Sequence, residues 1–116
     1  MIYAAQLPIG QPGPAYCDGC VGISQSVTLP ADGTVVIHAS GTAWGESDGW
    51  VNVLFDGVPY GNMAMRHRNP AALTSVVVVV PFVVAAGQHL IELQAAGGAR
   101  YDSADRFNVT VMQYSK

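Results

Sequence analysis

WVNVLFDGVPYG, residues Trp50 to Gly61, decides the fold class. Six strand-favouring residues run up to Asp56-Gly57, and Val58 to Tyr60 begin a return. An Asp-Gly pair between two such runs marks a two-residue hairpin turn. The same two-residue period recurs on either side. TVVIHASGTAW sets Val35, Ile37 and Ala39 against Val36, His38 and Ser40. QHLIELQA sets Ile91, Leu93 and Ala95 against Gln88, Glu92 and Gln94, and RFNVTVMQY sets Phe107, Val109 and Val111 against Asn108, Thr110 and Gln113. Each is the alternation of a half-buried strand.

Turn signals at Ala31-Asp32-Gly33, Asp56-Gly57, Asn69-Pro70, Ala86-Gly87 and Gly97-Gly98 space these runs as in a sandwich or small barrel. No window carries a sustained helical stripe; a short turn at Asn69-Pro70-Ala71-Ala72 is the one helical candidate. The expectation is an all-β, antiparallel, jelly-roll-like β-sandwich of about seven or eight strands. At 116 residues there is room for one domain and one modest core. Residues 26–116 are read as that domain and residues 1–25, rich in Pro and Gly and without alternation, as an irregular arm ordered by docking.

Half of the residues are hydrophobic and 11% are charged, against about 25% in a typical domain. A formal net charge of −3 supplies no basic field for nucleic acid or anionic membrane. The opening MIYAAQLPIGQPGP has no positive start and is broken by prolines, so it does not read as a secretory signal. Val76 to Ala86 is interrupted by Pro81 and is too short to insert in a membrane as a helix.

SVVVVVPFVV, Ser75 to Val84, breaks the alternation. Five successive valines imply a strand with no wet face, and residues 69–91 contain no Asp, Glu, Lys or Arg to guard it. Self-association is the favoured cover, a homo-oligomer and specifically a trimer, with Val76, Val78, Val80 and Phe82 as subunit contacts. Cover by the arm or by loops is the alternative.

Chemistry-bearing residues are few. Cys17-Asp18-Gly19-Cys20 lacks the second pair that a structural zinc site needs and the βαβ context of a redox motif. It reads as a surface turn with free thiols or a small local disulfide. Glu46 with Asp48, and Asp102 with Asp105, match no complete calcium loop and read as turn carboxylates or partners of Arg100 and Arg106. There is no G-x-S-x-G elbow, and His38 and His89 lie on strand patterns. No catalytic residue, metal or cofactor is assigned, and a non-enzymatic role is expected. Binding is better served: Trp44, Trp50, Tyr60 and Tyr101 stand at or near strand ends, where aromatic faces can stack on sugar rings, and Arg66, His67 and Arg68 form the one dense basic cluster.

VTLPADGTVVIHASGTAW, VNVLFDGVPYG and PFVVAAGQHLIELQAAGG resemble the strand-and-turn phrases of small jelly-roll domains. These are the domains of phage capsid-decoration and tail-fibre proteins, of tumour-necrosis-factor-like trimers and of carbohydrate-binding modules. The likeness spans residues 27–114 and carries over no site residue. It implies a non-enzymatic domain that trimerises and either reinforces a particle or binds a glycan. The first expectation is therefore a virion component, a capsid decoration (cement) or tail-associated protein with capsid or tail partners, acting on the virion or outside the cell. The second is a carbohydrate-binding, lectin-like module using Trp44, Trp50, Tyr60 and Arg66 to Arg68.

Overall fold

The computed structural model describes residues 1–7, 15, 17, 19–45, 49–64, 71–102 and 105–115. Among them every regular element is a strand: β1 (Tyr3–Gln6), β2 (Val21–Leu29), β3 (Gly33–Gly45), β4 (Trp50–Phe55), β5 (Val58–Ala64), β6 (Ala71–Ala72), β7 (Val76–Val79), β8 (Gly87–Ala96), β9 (Ala99–Arg100) and β10 (Phe107–Ser115). They form two antiparallel sheets packed as a sandwich. One runs β1-β10-β3, with β6, β7 and β9 also paired to the long β3; the other runs β2-β8-β4-β5. At about 3.3 Å per residue, the thirteen residues of β3 account for the 41 Å long axis of the molecule.

Alternation delivers the core. From one sheet Val35, Ile37, Val109 and Val111 point inward, and from the other Val51, Val53, Ile91 and Leu93 meet them. Each buried valine contributes about 1.5–3 kcal/mol. The Asp56-Gly57 turn joins β4 to β5 as expected, with positive φ at both residues (50° and 83°), the backbone of the favoured hairpin turn. Tyr101 closes the opposite end. Its hydroxyl donates to the Leu93 carbonyl at 2.6 Å and accepts from the Gly22 amide at 2.9 Å, while its ring meets Phe107 edge-on.

Four expectations change. The supposed arm contains a strand, β1, paired to β10, and β2 begins at Val21, so Tyr3–Gln6 and the residues from Val21 to Gln25 belong to the sheets. Ala71 and Ala72 pair with β3 instead of forming a helical turn, because their backbone groups find partners at Thr42 and Ala43; Asn69 and Pro70 lie outside the described residues. Gln113 is fully buried, since strict alternation from Val111 turns it inward, and its amide donates to the Ala31 carbonyl at 2.6 Å.

The valine run also alternates after all. Val78 and Val80 lie in the chain's own core, Val76 is half-buried, and Val77 and Val79 are 61% and 54% exposed. Phe82 is exposed as well. Val78 and Val80 are therefore internal packing, and the side chains left outside are the odd-numbered pair between and beside them.

Candidate functional site

Trp50 opens β4 on the outer face of the four-stranded sheet, with the neighbouring strands placing Ala64 and Ala96 directly beside it. Two methyl groups flank the indole where larger side chains would shade it. Gly97, at φ 63° in the turn after β8, completes the seat: a Cβ there would collide with Cζ3 and Cε3 of the ring. A side chain is excluded twice, by the backbone conformation and by the indole. The ring is thus braced on glycine backbone while the residue stays 37% exposed. Its orientation is set before any ligand arrives.

The next row across the same face is Asn62, Asn52 and Gln94, aligned in register on β5, β4 and β8. Asn52 Nδ2 donates to Gln94 Oε1 at 3.1 Å, and Gln94 Nε2 donates to the Gly19 carbonyl at 3.1 Å. Gly19 lies in the turn closed by a Cys17–Cys20 disulfide, whose backbone is bonded on both sides of Ala95 through Gly19 N–H to Ala95 O and Ala95 N–H to Cys20 O. The disulfide, one of the states the sequence left open, therefore steadies the amide row. One row further, Glu92 is set against Leu54 and Ser24. Trp50 and the amides together make a neutral aromatic and hydrogen-bonding strip.

Of the residues singled out from sequence, the described ones do not converge: Tyr101 is buried in the core, and the others lie apart. Trp44 is exposed on the outer face of the other sheet, opposite Arg100 of β9. The strands place it back to back with Trp50, since both carry even numbers and the odd positions fill the core between them. Tyr60 is half-buried near the Asp56-Gly57 end, edge-on to Phe82 at 6.2 Å. Arg66, His67 and Arg68 lie outside the described residues. Asn52, Asn62 and Gln94 were missed as a group because their adjacency depends on which strands pair; their outward phase was the one signal present.

Ionisable groups are engaged structurally. His89 Nδ1 bonds Asp56 Oδ2 at 2.6 Å, a spacing that suits a catalytic pair, but Nε2 is spent on the Ala85 carbonyl at 2.7 Å. Both partners are acceptors, so the two bonds together require the protonated ring. Burial pulls the His89 pKa down; the Asp56 hydrogen bond, the Ala85 carbonyl and the Asp56 charge outweigh it, leaving the group above its ordinary 6.5. Neither ring nitrogen faces a substrate. Asp105 accepts from Thr42 Oγ1 and from the Asp102 amide, both at 2.9 Å, and so holds its own loop. Glu46 and Asp48 lie outside the described residues. Among the described residues no three His, Cys, Asp or Glu side chains converge as a metal site.

No family model matches the chain, and no curated protein matches its sequence. Solved structures do share its fold. The CBM36-1 domain of a multidomain xylanase from the hindgut metagenome of Trinervitermes trinervoides aligns at TM-score 0.56 and 12% identity, over 98% of this chain and 100% of that domain. The CBM35 of Cellvibrio japonicus Abf62 aligns at TM-score 0.53 and 13% identity, over 98% and 95%. Dimeric latent PorU of Porphyromonas gingivalis aligns at TM-score 0.60 and 9% identity, over 97% of this chain but 12% of that one. The class these likenesses define is a β-sandwich with the architecture of carbohydrate-binding modules, at identities that speak to fold alone. Of the resemblances drawn from sequence, this is the one they bear on; the phage and tumour-necrosis-factor-like ones have no counterpart in them.

Proposed function

We propose that the protein is a carbohydrate-binding module, with Trp50 as the stacking platform and Asn52, Asn62 and Gln94 as its hydroxyl contacts. The observation that carries this reading is the seating of Trp50: braced on Gly97, flanked by alanines, open outward and bordered by amides. A sugar ring has an apolar C–H face that packs on an indole and a rim of hydroxyls that donate and accept. Amide side chains do both. The neutral strip and the net charge of −3 favour an uncharged glycan over a polyanion. The likeness of architecture to carbohydrate-binding modules supports the same choice over a virion role. The role is adhesion without turnover. A closed disulfide suits an oxidising setting, so its place of action is outside the cytosol.

The test is a glycan array followed by titration of the best neutral oligosaccharide. Trp50→Ala is expected to weaken binding at least tenfold, about 1.4 kcal/mol, while Trp44→Ala leaves it unchanged. An array with no neutral glycan bound would defeat the proposal. Loss with Trp44→Ala alone would move the site to the opposite face.

A further inference from the structure

The open edge of β7 points to a second activity, independent of the sugar strip. Val80 N–H bonds Val35 O at 3.0 Å, and the register continues Val36 to Val79, Ile37 to Val78 and His38 to Val77. In an antiparallel ladder alternate residues turn their amides toward the partner strand. Residues 76, 78 and 80 therefore bond β3, and the N–H and C=O groups of Val77 and Val79 point away from it. Among the described residues no other strand pairs with β7. In the other layer, β5 meets it through Gly61, where the Val78 side chain fills the space of a missing Cβ (2.7 Å to Cγ2). The backbone of β5 bonds this segment at Thr74, ahead of the strand.

We infer that β7 is a homodimerisation edge that takes the β7 of a second copy, antiparallel, about a two-fold axis at Val78. The outward amides at two-residue spacing specify a strand as occupant. The sequence specifies this one, because a two-fold at Val78 sets Val77 against Val79 of the copy and Val79 against Val77. Both are outward-facing residues, so each pair exchanges two backbone hydrogen bonds. Valine meets valine on both faces, without an Asp, Glu, Lys or Arg in residues 69–91 to oppose it. The pairing consumes both edges and closes at two copies, in place of the trimer expected from sequence. It also adds the second copy's Val77 to an apolar row already present on the outer face, Ala4, Met112, Val36 and Val79.

Sedimentation velocity over a dilution series tests this, with amide hydrogen exchange alongside. The wild-type chain is expected to run at the mass of two copies, and Val77→Pro as a folded monomer. Proline at 77 removes an N–H that points away from β3 and has no partner among the described residues, and so leaves the β3 ladder whole. Val77→Thr, which keeps the amide and the β-branch, is expected to remain dimeric. Should Val77→Pro fail to fold, exchange in the wild type decides instead: the Val77 and Val79 amides are expected to slow with rising concentration. A wild-type monomer at every concentration, a folded Val77→Pro dimer, or exchange at Val77 and Val79 independent of concentration would each overturn the inference.

Discussion

The two outer faces of this sandwich obey the same alternation and come out chemically opposite. On the four-stranded sheet the outward positions beside Trp50 include three amides, Asn52, Asn62 and Gln94, and then Glu92, with Gln88 and Leu90 further along β8. On the β1-β10-β3-β7 sheet they collect Ala4, Met112, Val36 and Val79 in one continuous row, with Val77 beside it next to His38. One face offers directional hydrogen bonds at a pre-set aromatic ring, as a soluble ligand needs. The other offers apolar surface leading to an open backbone edge, as another chain needs. Solvent exposure by itself says little about a role; what borders the exposed group says much more.

The sharpest way to break this contrast lies within the valine run. Val78→Ala is expected to cost about 2–3 kcal/mol in urea unfolding, because it empties part of the core over Gly61. Were Val78→Ala neutral, the assignment of inner and outer faces to β7 would be wrong. A slightly smaller loss, about 1–3 kcal/mol, is expected of Tyr101→Phe, which leaves the buried Leu93 carbonyl and Gly22 amide without their shared hydroxyl. Burial pushes the Tyr101 pKa up to about 12, against the lowering effect of its backbone hydrogen bonds. Its contribution is thus complete below pH 10 and lost as pH rises from 10 toward 12. An alkaline unfolding curve should show that loss in the wild type and not in the phenylalanine variant.

The Asp56–His89 clasp beneath the hairpin sharpens the picture of the far end. His89 titrates above its ordinary 6.5, so the stability it adds is complete below that value. It is lost as pH climbs through the raised folded pKa. Asp56→Asn, which tolerates the same positive φ, should flatten this dependence and cost about 0.5–1 kcal/mol at pH 5. Thermal melts of both proteins across pH 5 to 8 would reveal it. The smallest effect belongs to the outer face: Val77→Thr should change the stability of the subunit by less than about 0.5 kcal/mol. A larger loss in denaturation at low protein concentration would mean that Val77 is not the solvent-facing residue described.

Much of the architecture was legible. The Asp56-Gly57 turn, the inward phases of β3, β8 and most of β10, and the sandwich class all follow from a period of two and from turn chemistry. The valine run was not legible, because five identical residues carry no phase; partner register alone picks out Val78 and Val80 as internal. Gln113 was misread through its polarity, although counting from Val111 puts it inside. Of the candidate site, Trp50 was visible as an aromatic at a strand end, while its companions were not.

The sequence by itself determined the β class, the turns and the face to which most residues belong, because local periodicity and the φ preferences of Asp and Gly are properties of short segments. The tertiary structure decided which segments lie side by side. It parted Trp44 from Trp50 across the core, brought Asn52 and Gln94 together from 42 positions apart, laid the indole on Gly97 and left one edge of β7 open. These are consequences of long-range strand pairing, which no local pattern encodes.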